Sequence, residues 1–245
     1  MEETQHVAVL DFGSQYTQLI VRRVRELGYF AKLYSPEDIS EIGTPGAIIL
    51  SGGPKSTSEP DAPDIDFEKL KSYGVPVLGV CYGMQLLNIK FGGSVKASNK
   101  REYGPAMLVP TTHEDLYADV SAESQVWMSH SDTVQDLHDD VKVIASNQHG
   151  TPVSLKWPGG FFGIQFHPEV THSHEGNKIL NNFLNQAEKL QPFHIEDFKR
   201  EMIEGIREVV GERQVVCGVS GGVDSTVLAV LLKEAGVKTR AIFVD

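Results

Sequence analysis

VPVLGVCYGMQLLNIKFGG, residues 75–93, decides the architecture. Residues 75–81 form an apolar run of strand length, and the segment from Gly83 reads as helical until paired glycines stop it. Cys81 therefore sits at a strand-to-helix junction, with Gly79 two residues before it and Gly83 two residues after. A sharp turn of this kind strains its central residue, and only small neighbours leave room for it. The side chain then stands clear of the sheet beside backbone N–H groups at the helix start. Those dipoles favour an anion, so they lower a thiol pKa from its free value of about 8.5 and can hold an oxyanion. The competing reading makes Cys81 a small core hydrophobe, the commonest fate of a free cysteine.

The same alternation runs upstream. HVAVLDFG (6–13) reads as a buried strand, followed by a helix with Ile20, Val24 and Leu27 at spacings of four and three, ended by Gly28. FAKLYS (30–35) and GAIILSGGP (46–54) read as strands, and a short polar helix falls near 65–73. Strands alternating with helices pair in parallel, so an open, doubly wound α/β sheet is expected, with ligands at the carboxyl ends of its strands. From about 94 to 170 the texture changes to short β-type runs (AMLVP, QVWMS, VKVIAS, VSLKW) between turn residues, which predicts an antiparallel extension. NKILNNFLNQAEKL (177–190) is expected to close this 1–190 domain as a helix, with QPF (191–193) as linker.

A second α/β unit is expected over 194–245. IEDFKREMIEGIREVV places Ile195, Phe198, Met202, Ile206 and Val209 on one helical face. QVVCGVS (214–220), a glycine turn, STVLAVLLKEAG (225–236) and TRAIFVD (239–245) continue as strand, helix and strand. So few elements do not cover a parallel sheet on both faces, and this nucleotide-binding unit reads as incomplete.

The formal charge of −11 excludes a broad basic surface for nucleic acid or anionic lipid, so any nucleotide must be held locally. Cys81 and Cys217 make no disulfide framework. The first residues, MEETQHVAVLDFG, lack both the basic end of a signal peptide and the long apolar run of a membrane span. A cytoplasmic protein is expected.

A thiol nucleophile needs a base. In Phe166-His167-Pro168-Glu169, after the strand-like FFGIQF, His167 and Glu169 lie two apart and face the same side of an extended segment. Glu169 can fix the tautomer from one ring nitrogen while the other takes the thiol proton. Pro168 stiffens the spacing. His130, His172 and His174 compete for the role, but only His167 has a carboxylate at i+2 in a stiffened turn.

Together, SGGP (51–54), GVCYGMQ (79–85) and the HPE triplet (167–169) resemble the class I, triad-type glutamine amidotransferases over residues 7 to about 188. The resemblance implies a flavodoxin-like sheet. It also implies attack by Cys81 on the side-chain amide of glutamine, ammonia protonated by His167, and hydrolysis of the thioester without a cofactor or metal. Backbone N–H groups of Gly53 and Tyr82 would hold the oxyanion, with Gly52, Gln85, Ser129 and His130 around the substrate. An ordinary turn after a strand would use Gly52 and Gly53 equally well.

Ser220-Gly221-Gly222-Val223-Asp224-Ser225-Thr226 joins a strand to a helix. Its glycines let backbone approach an anion at the positive end of the helix, and its hydroxyls add donors. It lacks the lysine of a Walker A loop. A serine- and aspartate-capped helix start is the plainer reading, with Asp224-Ser225 as the cap. SGGVDS nonetheless resembles the pyrophosphate loop of the N-type ATP pyrophosphatases, which implies ATP at residues 220–226 and Asp224 acting through Mg²⁺ on the released pyrophosphate. Cys217 reads as core.

An amidotransferase fused to such a unit resembles the glutamine-dependent enzymes that adenylate XMP and aminate it to GMP. LDFGSQYTQLIVRRVRELG, VWMSH and FGIQFHPEVTH carry the likeness further. That family implies an XMP site and a homodimer contact in a domain outside these 245 residues, so this chain alone is expected to be a glutaminase. Ser131 departs from the family's glycine in M-S-H-G-D. A non-catalytic regulatory or binding module, with Ser131 blocking the pocket, is the alternative. The amidotransferase component of another pathway is disfavoured by the fused loop.

Overall fold

The structure, a computed structural model, describes residues 5–243, with backbone alone at 97–101. Two units separate, Met1–Pro192 and Phe193–Asp245. In the first, β1 (His6–Leu10), α1 (Thr17–Glu26), β2 (Ala31–Tyr34), β3 (Pro45–Leu50), α2 (Phe67–Ser72), β4 (Val77–Val80) and α3 (Tyr82–Lys90) alternate as the sequence predicts. The antiparallel part follows as β5 (Val95–Pro110), β6 (Ser124–Val134), β7 (Lys142–Asn147) and β8 (Pro152–Trp157), before β9 (Phe161–Ile164) and α4 (Gly176–Leu184). Among the described residues, these nine strands join one sheet in the order β2-β1-β3-β4-β9-β8-β7-β5-β6. The first five run parallel and the pairings from β9 to β6 are antiparallel.

The apolar runs are continuous because both faces of the parallel region are covered. Val7 and Val9 face Ile20 and Val24 of α1 and Ile179 and Phe183 of α4, whereas Ala8 and Leu10 face Leu70, Met84 and Leu87. Period-two alternation thus serves two cores, and neither face is left for water.

The closing helix ends at Leu184, six residues short of the expected 190. Beyond it, Gln191 accepts from Phe30 N–H at 3.1 Å and donates to Gln5 O at 2.8 Å, so the chain returns extended to the sheet edge. A helix continuing to 190 would not reach those partners.

The second unit holds α5 (Ile195–Val210), β10 (Val215–Val219), α6 (Val223–Glu234) and β11 (Thr239–Phe243), with β10 and β11 parallel. The expected apolar face of α5 leaves Ile195, Met202 and Val209 exposed, and Cys217 is buried as expected. Residues 244–245 of the last predicted strand lie outside the described residues.

Candidate active site

The carboxyl ends of β1, β3, β4 and β9 bring Gly13–Tyr16, Ser51–Pro54, Cys81–Tyr82 and Gln165–His167 together, as the parallel topology requires. The end of β6 supplies Ser129, His130, Ser131 and Asp132. Between these segments lies a cavity of about 480 Å³ lined by Gly53, Cys81, Gln85, Ser129, Ser131 and His167 among others. That volume suits a small metabolite.

Cys81 has φ 51° and ψ −104°, a conformation that non-glycine residues rarely adopt. Its neighbours explain how the strain is held. A Cβ on Gly79 would lie 2.5 Å from the Gly83 carbonyl carbon, and one on Gly83 would lie 2.5 Å from Leu50 O. Both glycines are therefore required by the close crossing of α3 over β3 and β4. Cys81 N–H donates to Ile164 O at 2.8 Å and Gly83 N–H donates to Ser51 O at 3.1 Å, which fixes the turn from both sides. Cys81 is 5% exposed, yet it lines the cavity. Its sulfur lies 3.7 Å from Ser129 O and 3.6 Å from Gln165 Nε2.

His167 and Glu169 are buried, with His167 Nδ1 at 2.7 Å from Glu169 Oε1. An ionised carboxylate only accepts, so Nδ1 carries the hydrogen and Nε2 is left for the thiol. Burial alone lowers the His167 pKa, but its interactions with Cys81 and Glu169 outweigh that and raise it to about 10. The protonated imidazole is thereby favoured. Arg23 Nε donates to Glu169 O at 2.9 Å, and the Tyr16 ring meets the imidazole edge-on at 5.1 Å. His172 and His174 pack instead against β6, through Trp127 and Gln125.

The glycines after β3 are fitted to the pair. A Cβ on Gly52 would come 3.1 Å from His167 Cε1 and 3.6 Å from Cys81 Cβ, and one on Gly53 would come 2.8 Å from Phe12 O. Tyr82 packs on Phe12, and its hydroxyl, pushed up to about 12 mainly by burial, bonds Pro63 O at 2.5 Å. Gln85 lines the cavity, but its Nε2 donates to Asp132 O at 3.0 Å and Gln165 Oε1 at 3.3 Å. Its carbonyl oxygen is the atom left for a substrate. His130 Nδ1 donates to Asp132 O at 3.0 Å, and burial is the first cause lowering its pKa, so the neutral ring props β6. Ser131 borders the cavity without filling it, and its hydroxyl points to Asp132 at 3.3 Å.

Sequence reasoning missed Ser14, Gln15, Tyr16, Lys55, Tyr103, Asp132 and Gln165, all of which border or contact the site. Gln15 and Tyr16 were legible in principle, since they follow the first strand at its carboxyl end.

In the second unit, the 220–226 loop is exposed except for the half-buried Ser225, and α6 starts at Val223, two residues before the predicted 225. Gly222 is the N-cap and has no side-chain cap. Ser225 and Thr226 hydroxyls turn back to Gly222 O at 3.0 and 2.8 Å, so the Asp224-Ser225 cap of the plainer reading does not form. The first N–H groups of α6 stay free of side-chain acceptors, which fits a phosphate-sized anion. Among the described residues, no cluster suited to a metal ion occurs and no helix is long and apolar enough to cross a membrane.

Residues 8–187 match the family model for glutamine amidotransferase class-I, and residues 213–245 match that of the tRNA methyl transferase HUP domain. The chain is 47% identical to a GMP synthase [glutamine-hydrolyzing] of Thermosipho africanus over 98% of its own length and 47% of that protein's. A protein of the same name from Macrococcus caseolyticus is 46% identical, over 99% and 48%. The chain thus spans about half the length of the curated relatives it matches. A solved structure of a putative GMP synthase component from Thermoplasma acidophilum is similar, with TM-score 0.65, 29% identity, and 76% and 94% of the two chains covered.

Proposed function

The chain belongs to the class-I glutamine amidotransferase family, and from that premise we propose that it hydrolyses glutamine at a Cys81–His167–Glu169 triad. The observation that carries this reading is the buried His167–Glu169 pair at 2.7 Å, with His167 lining the same cavity as a strained Cys81. Cys81 Sγ attacks the side-chain carbonyl carbon of glutamine and its proton passes to His167. His167 returns that proton to nitrogen as the C–N bond breaks, releasing ammonia and leaving a γ-glutamyl thioester. Water, deprotonated by His167, then cleaves the thioester to glutamate and the thiol. Glu169 keeps the tautomer and stabilises the imidazolium.

Gly53 and Tyr82 N–H groups are the proposed oxyanion donors. Ser51 supports the first of them: its buried hydroxyl accepts from Phe12 N–H at 3.0 Å and donates to Gly52 O at 2.9 Å. A planar trans peptide directs the Gly53 N–H opposite that carbonyl, so Ser51 sets its direction. Gly52, the Gln85 carbonyl, Ser129 and His130 complete the substrate surround.

We further infer that the ammonia serves the amination of XMP to GMP in a cytoplasmic enzyme. Residues 1–190 would form the glutaminase domain, 191–193 a linker and 194–245 the start of the ATP-binding domain. Ser220 to Thr226 would cradle the pyrophosphate of ATP, with Asp224 the carboxylate at hand for Mg²⁺. The XMP site and a homodimer contact would belong to the longer protein. An inert module has little support from a cavity that Ser131 leaves open. Cys81→Ala tests the reading: glutamate release should vanish while the circular dichroism spectrum is kept, and surviving activity would remove Cys81 as nucleophile.

A further inference from the structure

His167 is tied to β6 by an unusual pair. Its N–H donates to Trp127 O at 3.0 Å, one half of the exchange that closes a hydrogen-bonded antiparallel pair. The other half is relayed. Trp127 N–H donates to Ser173 Oγ at 3.0 Å, and Ser173 Oγ donates to His167 O at 2.5 Å. We propose that Ser173 is a positioning residue for His167, its hydroxyl completing the backbone pair that locks the base to β6.

Several observations make the hydroxyl more than filler. Ser173 is only 5% exposed, so bulk water has no ready access to replace it. It must accept from an N–H and donate to a C=O at once, which a hydroxyl does and a methyl group does not. Without it, the half-buried Trp127 N–H and the buried His167 C=O would both lose this partner. Ser173 is itself fixed, since its N–H donates to Val170 O at 3.1 Å and its carbonyl accepts from Gly176 N–H at 3.1 Å. His174 N–H donates to Gln125 O at 3.0 Å, so the segment follows β6 for two further residues.

The same strand reaches the nucleophile. Ser129, two residues along from Trp127, has its carbonyl 3.7 Å from Cys81 Sγ. β6 therefore serves as a common reference for both partners, with Trp127 holding the base and Ser129 bordering the thiol. Losing the relay frees the backbone of His167 to drift relative to Cys81, while the residues placed around glutamine keep their own bonds. Besides Cys81, the groups facing the imidazole are Glu169 on its own segment, His130 on β6 and the Tyr16 ring.

This inference rests on the Cys81–His167 pair proposed above, and the test separates the two. Glutamate release and the pH dependence of Cys81 alkylation by iodoacetamide would be measured for wild type, S173A, S173T and H167A. S173A should lower kcat at least tenfold with KM within threefold, and should move the pH midpoint of alkylation. S173T, which restores the hydroxyl, should recover both. Wild-type kcat and midpoint in S173A would overturn the inference, as would an equal loss in S173T. If S173A does not fold, S173C keeps the volume with weaker hydrogen bonding, and wild-type kcat in it would be equally fatal. An H167A protein with an unchanged alkylation midpoint would refute the Cys81–His167 pair, and the inference with it.

Discussion

Gly176→Ala should damage catalysis far more than folding. Gly176 opens α4, and a Cβ there would fall 1.9 Å from Pro168 O, 2.7 Å from its carbonyl carbon and 2.9 Å from its Cα. Real Cβ atoms do not approach closer than 3.0 Å, so the gap to that oxygen must open by about 1.1 Å. All three atoms are backbone, so no side chain can swing aside. Pro168 links His167 to Glu169, and a shift of its peptide passes to both. A displacement near 1 Å in a reacting constellation costs on the order of 10²-fold in rate. Overpacking costs about 1–3 kcal/mol, offset by up to about 1 kcal/mol because alanine favours helix over glycine. Steady-state glutamate release beside urea unfolding separates the two effects. We expect kcat lower by about 10²-fold, and a net stability loss of no more than about 3 kcal/mol. A folded variant whose kcat stays within threefold of wild type would refute the claim that this contact sets the triad.

Further outcomes follow from the same geometry. The folded pKa of His167, raised to about 10, lies above its ordinary 6.5, so protonated His167 stabilises the fold fully below about pH 6.5 and loses that contribution as pH climbs towards 10. Urea unfolding across that range should show stability falling in wild type and a flatter profile in His167→Gln; parallel profiles would contradict the assignment. Ser51→Ala leaves Phe12 N–H and Gly52 O without their hydroxyl partner and frees the Gly52–Gly53 peptide. Since an oxyanion donor is worth about 10²–10³ in kcat, a misdirected one should cost roughly tenfold or more with KM little changed. A Ser51→Ala enzyme with wild-type kcat would exclude this role.

Much of this is legible in the sequence because parallel α/β folds place function at strand ends. The runs ending at Leu10, Leu50 and Val80 read as strands, and the loops after them, with Cys81 among these, converge in space. Gly79 and Gly83 can be seen to permit a tight turn, but not that each meets backbone at 2.5 Å. His167 and Glu169 stand out because two residues in an extended segment share a side. Ser173 does not, since its role depends on β6 lying alongside, and long-range antiparallel register leaves no local pattern. Gln85 reads as a substrate ligand, yet its amide nitrogen is taken by Asp132 and Gln165. Periodicity overextends α4 for a similar reason, because the pull of Gln191 to the sheet edge is a tertiary effect.

Labelling of Cys81 tests the central claim most directly. A glutamine analogue with an electrophilic carbon in place of the side-chain amide carbon should attach once per chain, and peptide mapping should place it on Cys81, with glutamine protecting. Absence of labelling, or labelling of Cys217 at an equal rate, would contradict a glutaminase centred on this thiol.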